Sequence, residues 1–78
     1  MNYQVIFSKA ALKQFNKLSS DLEERLKTKI NELATEPRPN GVKKLDNDDL
    51  YRIRVGDYRV IYQIKDDILL VSIVKVSR

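Results

Sequence analysis

Three arginines around a Gly-Asp turn are the residues of this sequence best suited to chemistry. They lie in segment 50–62, Leu-Tyr-Arg-Ile-Arg-Val-Gly-Asp-Tyr-Arg-Val-Ile-Tyr, where apolar and polar residues alternate on both sides of the turn. This pattern predicts two antiparallel strands joined by a two-residue loop with glycine at its first central position. Counting outward from the loop pairs Arg54 with Arg59 and Arg52 with Ile61, so all three arginines emerge on one face.

Such an arrangement of arginines favours an anionic ligand. Directly opposed like charges destabilise a sheet, so a chain that places Arg54 opposite Arg59, with Arg52 close by, is expected to use them. Arginine presents a planar fork of donors that matches phosphate. The alternative is a face that is simply solvated, because charged residues keep exposed strands soluble and block edge-to-edge aggregation. The residues by themselves leave both interpretations open.

The composition narrows the chemistry that the chain can perform. Its 78 residues predict a single domain, residues 1–78, with a modest core. The sequence contains no histidine and no cysteine, which excludes thiolate chemistry, disulfides and any His-based triad. The acidic cluster 46–49 lacks the glycine and distal glutamate of a calcium loop, so we expect a polar turn there, with no metal and no cofactor.

The charge and the hydropathy of the chain indicate where it acts. The formal net charge is +4, which favours an anionic partner. No stretch is long and apolar enough to span a membrane, and the N-terminus lacks the apolar core of a signal peptide. We therefore expect a cytoplasmic protein without a membrane partner.

Two helices are predicted in the first half of the chain, after a short strand at residues 3–7. Ser8 is a suitable N-cap for the first helix, and Ser20 opens a capping box with Glu23 for the second, which Pro37 ends. The short linker between them predicts an antiparallel helical hairpin. The residues expected to face the sheet are Leu12, Phe15, Leu18, Leu22, Leu26, Ile30 and Leu33. Between these positions, Lys9, Lys13 and Lys17 are interpreted as a solvated stripe.

The second half of the sequence is predicted to form strands. A Pro-Arg-Pro-Asn-Gly loop precedes a short extended basic segment, residues 42–45, which is followed by the arginine hairpin and a last strand at 69–76. The last strand is almost continuously apolar, which predicts a central position covered on both faces. The element order is therefore β-α-α-β-β-β, an α+β fold in which a helical hairpin packs on one face of an antiparallel sheet. The arginines would occupy the open face.

This order, with Lys-Lys-Leu followed by Tyr-Arg-Ile-Arg-Val-Gly-Asp-Tyr-Arg-Val-Ile-Tyr, closely resembles the RelE/ParE toxin superfamily over essentially the whole chain. Members of this superfamily are the toxic halves of type II toxin–antitoxin systems. RelE-type members cleave messenger RNA in the ribosomal A site, whereas ParE-type members share the scaffold and poison DNA gyrase. The resemblance implies a cognate antitoxin as partner, with a heterotetramer as one form of the complex, and, for the RelE branch, the ribosome and mRNA.

The resemblance also implies which residues act. The family's catalytic basic positions fall on Arg52, Arg54 and Arg59. Its RNA-binding positions fall on Lys43, Lys44 and Arg78. The implied reaction uses the RNA 2′-hydroxyl as nucleophile on the adjacent phosphate and yields a 2′,3′-cyclic phosphate and a 5′-hydroxyl, without a metal. Cations that stabilise the extra phosphate charge can supply much of this catalysis.

Two departures from the family pattern keep other functions open. Well-studied RelE-type enzymes have lysines where this chain has Arg52 and Arg54, and arginine does not serve as a general base. A tyrosine that follows the family's C-terminal arginine has no counterpart after Arg78. The leading hypothesis is a ribosome-dependent endoribonuclease. The alternatives are a ParE-like gyrase inhibitor and a non-catalytic remnant that binds only its antitoxin or RNA.

Overall fold

Five strands and two helices make up the protein in the computed structural model, which describes residues 2–45 and 50–78. The elements in chain order are β1 (Gln4–Phe7), α1 (Lys9–Asn16), α2 (Ser20–Glu32), β2 (Lys43–Lys44), β3 (Leu50–Val55), β4 (Tyr58–Lys65), a short 3-10 turn (Asp66–Ile68) and β5 (Leu70–Ser77). The strands form one sheet in the order β1-β5-β4-β3-β2. This confirms the predicted α+β class and the helical pair.

Both helices begin at a serine cap. The Ser8 hydroxyl accepts a hydrogen bond of 3.1 Å from the Ala11 N–H, as the sequence predicts. The second cap is Ser19, whose hydroxyl accepts from the Leu22 N–H at 3.4 Å, so the prediction of Ser20 was wrong by one residue. Ser19 has the extended backbone that a cap requires, and Ser20 is already the first helical residue.

The helices bury one stripe of side chains against the sheet. Leu26 and Ile30 of α2 and the following Leu33 are almost completely buried, as predicted. Leu12 is instead 46 % exposed, so its predicted place against the sheet was wrong. In the two-turn helix α1 the buried positions are Ala11 and Phe15, and Leu12 lies one residue further around the helix. Leu18 and Leu22 are half-buried.

The sheet is mixed, which corrects the prediction of a wholly antiparallel sheet. Strands β2 to β5 are antiparallel neighbours, but β1 pairs with β5 in parallel, from Gln4 opposite Leu70 to Phe7 opposite Ile73. The parallel pairing arises because α1 and α2 carry the chain away from β1 before the remaining strands are formed. Parallel strands need such a long connection, whereas antiparallel strands can be joined by a tight turn.

The last strand is interior, as predicted, but only one of its faces is covered. Val71, Ile73 and Val76 are buried, whereas Val74 and Lys75 are exposed. The regular alternation breaks where β5 pairs with β4, because one extra residue of β5 enters the register beside Ile61. Such a bulge shifts which side chains face the core. An uninterrupted apolar run does not show where such a bulge lies, so the sequence predicted that both faces of β5 are covered.

Two further predictions concern the segment before the hairpin. The extended basic segment forms β2, which pairs with β3 and adds a fifth strand to the predicted element order. The predicted polar turn at 46–49 lies outside the described residues. Neither helix in the described residues has the length and apolar content needed to cross a bilayer.

Candidate nucleic-acid interface

A tight hairpin holds the three arginines in the predicted register. Gly56 has a φ of +61°, a left-handed conformation that glycine adopts without steric cost, and it forms the turn with Asp57. Across the two strands, Arg54 is directly opposite Arg59 and Arg52 is directly opposite Ile61. The two-residue loop determines this register, because the first pair beyond the turn sets every pair that follows.

The hairpin presents its arginines away from the helices. The alternate residues of β3 and β4 are buried under α1 and α2, and these are Tyr51, Ile53, Val55, Val60, Tyr62 and Ile64. Arg54 and Arg59 are exposed, and Arg52 is half-buried. Since neighbouring residues of a strand point to opposite faces, the three arginines lie on the face that no helix covers.

Neighbouring strands extend this cationic surface. Lys43 of β2 is opposite Arg52, and Lys75 of β5 is opposite Ile61, so both lysines lie on the arginine side of the sheet. We call Lys43, Arg52, Arg54, Arg59 and Lys75 the basic face. The sequence analysis missed Lys75, because the bulge in β5 places it on a face that simple alternation from the buried Ile73 would not predict.

The other RNA-binding candidates lie elsewhere. Lys44 is opposite Tyr51, a residue of the buried face, so it projects from the sheet edge on the helix side and away from Lys43. Arg78 follows the last strand and lines a cavity of about 260 Å³ at the tip of the hairpin. The structure therefore brings Lys43 together with the three arginines and separates Lys44 and Arg78 from them.

The described strands contain no carboxylate. Within the five strands the charged residues are all basic, namely Lys43, Lys44, Arg52, Arg54, Arg59, Lys65 and Lys75. The acidic residues of the described chain lie on α2, in the loop that follows it, in the hairpin turn and in the turn before β5. A surface of one charge sign attracts a polyanion over several ångströms and raises its rate of association.

One further arginine, which the sequence analysis did not single out, has a structural role at the other end of the sheet. The Arg38 guanidinium donates two hydrogen bonds to the Asp66 carboxylate, the shorter of 2.9 Å, and a third of 3.2 Å to the Tyr51 hydroxyl. The Cζ atom of Arg38 lies 5.1 Å from the centre of the Tyr51 ring. Tyr3 donates to the same carboxylate at 2.6 Å. These contacts connect the loop after α2 to the turn before β5.

The pKa shifts in this cluster indicate that its contacts stabilise the fold. Hydrogen bonds from Arg38 and Tyr3 hold the pKa of Asp66 below its ordinary value, and the hydrogen bond to Asp66 raises the pKa of Arg38. Burial raises the pKa of Tyr62, whose hydroxyl donates to the Pro37 carbonyl at 2.7 Å. Arg38 is thus engaged by its own chain, whereas Arg52, Arg54 and Arg59 form no ion pair with residues 2–45 or 50–78.

The basic face can stabilise negative charge, and it is less suited to proton transfer. Arginine stays protonated in proteins, so Arg52, Arg54 and Arg59 can donate hydrogen bonds to phosphate oxygens but cannot accept a proton. Preorganised donors of this kind lower the energy of a transition state in which phosphate gains charge. In the described residues no three carboxylates are grouped as ligands for a metal ion.

Residues 5–78 match the family model of the ParE toxin of the type II toxin–antitoxin system parDE. The chain belongs to the RelE/ParE toxin family. Over 80 residues it is 34 % identical to the mRNA interferase toxin RelE of Escherichia coli strain K12, a match that covers 100 % of this chain and 84 % of the relative. This confirms the family that the hairpin motif resembles, and the curated relatives favour its RelE branch.

Solved structures of RelE/ParE family members have the same fold. The archaeal RelE–RelB complex from Pyrococcus horikoshii OT3 contains a chain that is 35 % identical, with a TM-score of 0.89 over 99 % of this chain and 94 % of that one. The intact E. coli RelBE toxin–antitoxin complex gives a TM-score of 0.88 at 33 % identity, over 97 % and 95 % of the two chains. The mixed sheet and helical pair are therefore the family scaffold.

Proposed function

We propose that this protein is the toxin of a type II toxin–antitoxin system and acts as an endoribonuclease that cleaves messenger RNA on the ribosome. The observation that carries this proposal is the opposed pair Arg54 and Arg59, exposed beside Arg52 and Lys43 on a face to which the described strands contribute no carboxylate. The similar E. coli protein is named an mRNA interferase. The cytoplasm, where messenger RNA is translated, is the proposed site of action.

The reaction that this surface supports is an internal transesterification of RNA. The 2′-oxygen attacks the adjacent phosphorus, a bond to the 5′-oxygen of the next nucleotide breaks, and a 2′,3′-cyclic phosphate remains. The proton of the 2′-hydroxyl is lost, and the departing 5′-oxygen gains one. The phosphate carries additional negative charge in the transition state, and Arg54 and Arg59 are placed to share it.

Positioning of the RNA is the second contribution of the basic face to catalysis. An attack of this kind requires the 2′-oxygen, the phosphorus and the leaving oxygen to be aligned, and holding them in that geometry removes much of the barrier. Arg52 and Lys43 extend the basic face along one row of the sheet and can bind the neighbouring phosphates. The ribosome would fix the message itself, and ribosomal groups would assist the proton transfers that arginine cannot perform.

The test is to map breaks in translated messenger RNA by primer extension after brief expression of the protein. Cuts at defined codon positions, absent in an Arg54→Ala/Arg59→Ala variant, are the expected result. The control replaces Lys13 and Lys27 by alanine, which removes the same charge from exposed positions of α1 and α2. Undiminished cleavage in the arginine variant would place the active site elsewhere.

A supercoiling assay, run beside the primer extension, distinguishes the main alternative. The matching family model is that of the ParE toxin, and a ParE-like protein would inhibit DNA gyrase through a shared scaffold. Inhibition of DNA supercoiling by the purified protein, with intact messenger RNA, would favour that function. If neither cleavage nor supercoiling inhibition were observed, the protein would be a non-catalytic remnant.

We also propose a cognate antitoxin as protein partner. The similar RelE chains from E. coli and P. horikoshii were solved as complexes with RelB proteins. The cationic sheet favours a partner with an acidic or amphipathic segment that wraps the domain and folds on binding. Expression of this chain alone should arrest growth, and co-expression of the neighbouring open reading frame should restore it.

A further inference from the structure

The tip of the hairpin contains a second pair of arginines outside the core, Arg78, which was predicted to bind RNA, and Arg25, which was not. Arg25 of α2 and Arg78, which follows β5, line the cavity of about 260 Å³ beside the turn. The other lining residues are Leu22, Gly56, Asp57 and Tyr58. Three separate parts of the chain therefore converge on this cavity and bring two arginines to it.

Arg25 is held close to the turn. One of its terminal nitrogens lies 3.5 Å from the position that a Cβ atom on Gly56 would occupy. Both Arg25 and Arg78 are exposed, and within residues 2–45 and 50–78 the ion pairs shorter than 4.0 Å involve other residues. Their donors are therefore available to a ligand, which distinguishes them from Arg38 and its carboxylate partner.

The cavity continues the basic face around the end of the sheet. Tyr58, which forms part of the cavity wall, is the neighbour of Arg59 in β4, and Ser77, which precedes Arg78, is directly opposite Arg59 in the register. The cavity lies on the helix side of the sheet, so a strand of RNA bound at Arg59 reaches it by passing around the tip of the hairpin. The half-exposed Tyr58 ring offers an apolar surface beside the guanidinium groups, as in sites that bind single-stranded nucleic acid.

We propose that Arg25, together with Arg78, binds a phosphodiester of the messenger RNA next to the one that is cleaved. This inference rests on the proposed function and extends its RNA path from the open face of the sheet to the N-terminal half of α2. Arg25 is a positioning residue, since it contacts the RNA backbone at a phosphate other than the one that reacts. Arginine suits this role because its forked donors can bind two phosphate oxygens at once.

Nearby carboxylates limit the affinity of the site for anions and make it selective for a polyanion over a single small anion. Asp57 lines the cavity itself, and Asp21 and Glu24 lie beside Arg25 on its α2 side. These groups reduce the local positive potential, so a free chloride or a monoanion should bind weakly. A polyanion that is already held by the basic face gains from its high local concentration at the tip.

The experiment measures binding of a fluorescent single-stranded RNA oligonucleotide as a function of salt concentration. Each phosphate neutralised on a single strand contributes a slope of about −0.7 to the plot of log affinity against log salt. Arg25→Ala should therefore reduce the magnitude of the slope by about 0.7, and Arg25→Lys should retain most of it because the charge is kept. Cleavage on ribosomes should slow while the cleaved positions remain the same.

Lys27→Ala is the matched control. Lys27 is an exposed residue of the same helix, two positions on, so it points to a different side of α2 and its loss removes an equal charge. Its slope should equal that of the unmodified protein. Both arginine variants should retain the melting temperature, since Arg25 is exposed and makes no contribution to the core.

Three outcomes would overturn the proposal. The slope could be unchanged in Arg25→Ala while Arg54→Ala/Arg59→Ala lowers it, which rejects the second site and leaves the proposed function intact. Equal effects of Arg25→Ala and Lys27→Ala would indicate a general charge effect. Loss of antitoxin affinity with unchanged RNA binding would assign Arg25 to the protein interface. A salt-independent affinity of the unmodified protein would instead reject the proposed function itself.

Discussion

Arg54 and Arg59 are cross-strand partners on the exposed face of the sheet, and none of the strands that the structure describes contains an oppositely charged residue. Directly opposed like charges destabilise an antiparallel pair, by roughly 0.2–1 kcal/mol. The hairpin therefore maintains an arrangement that costs stability, and binding of a phosphate between the two guanidinium groups would remove the repulsion. Substitution of either arginine should therefore lower activity without lowering the stability of the fold.

The first prediction follows from that relationship. Arg54→Ala should lower the rate of RNA cleavage strongly while leaving the melting temperature unchanged or raising it. Thermal unfolding at low ionic strength, where the repulsion is least screened, is the measurement. If Arg54→Ala instead lowered the melting temperature by several degrees, the side chain would have a structural role that the exposed face does not explain.

The two adjacent lysines of β2 should differ in effect. Lys43 is opposite Arg52 on the basic face, whereas Lys44 is opposite Tyr51 and projects to the other side of the sheet. Lys43→Ala should weaken RNA binding and reduce the salt slope, and Lys44→Ala should change both less. Equal losses in the two variants would mean that the RNA contacts the edge of the sheet and not its open face.

Acid should weaken the contact between Arg38 and Asp66. The pKa of Asp66 is lowered in the folded protein, so the carboxylate contributes stability above its unfolded pKa and loses that contribution as pH falls through the folded pKa. Asp66→Asn should therefore lower the melting temperature at neutral pH, and the difference from the unmodified protein should vanish in strong acid. A difference independent of pH would exclude the ionic contribution.

Two leucines test the packing of the helices. Leu26 is 0 % exposed and Leu12 is 46 % exposed, although both belong to apolar stripes in the sequence. Leu26→Ala should cost about 2–5 kcal/mol in the free energy of unfolding measured with urea, because it leaves a cavity in a small core. Leu12→Ala should remain within about 0.5 kcal/mol. Leu26→Asp, which buries an unpaired charge, should be more harmful still.

Cleavage should not depend on a metal ion. The proposed mechanism relies on guanidinium groups to stabilise phosphate charge, and the candidate residues include no metal ligand. EDTA at concentrations that leave ribosomes intact should therefore not change the single-turnover rate of cleavage. Loss of activity that added zinc or manganese restores would require a different catalytic apparatus.

Local features were predicted where a short stretch of sequence determines them. The register of Arg54 with Arg59 follows from a two-residue loop, and the side on which each residue lies follows from strict alternation. The cap at Ser8 was likewise predicted, since only one suitable residue precedes α1. At the start of α2 two serines are adjacent, and the pattern alone does not decide between Ser19 and Ser20.

Long-range features could not be predicted in this way. The parallel partnership of β1 with β5 depends on how the whole chain closes, and no local motif indicates it. The bulge in β5 moves Lys75 to the basic face, and an uninterrupted apolar run gives no sign of a bulge. Arg25 and Arg38 were missed because each acquires its surroundings from segments distant in sequence.

The position of β1 has a consequence for how the protein is made. Of the five strands β1 leaves the ribosome first, yet its strand partner is β5, so Gln4 cannot pair until Leu70 has been made. Contacts between residues so far apart in sequence form late, because a long loop must close before they give any stabilisation. A nascent chain therefore cannot complete the sheet or assemble its arginines with Lys75 until β5 has emerged. The ribosome that synthesises the toxin therefore does not meet the folded product until all five strands have been made.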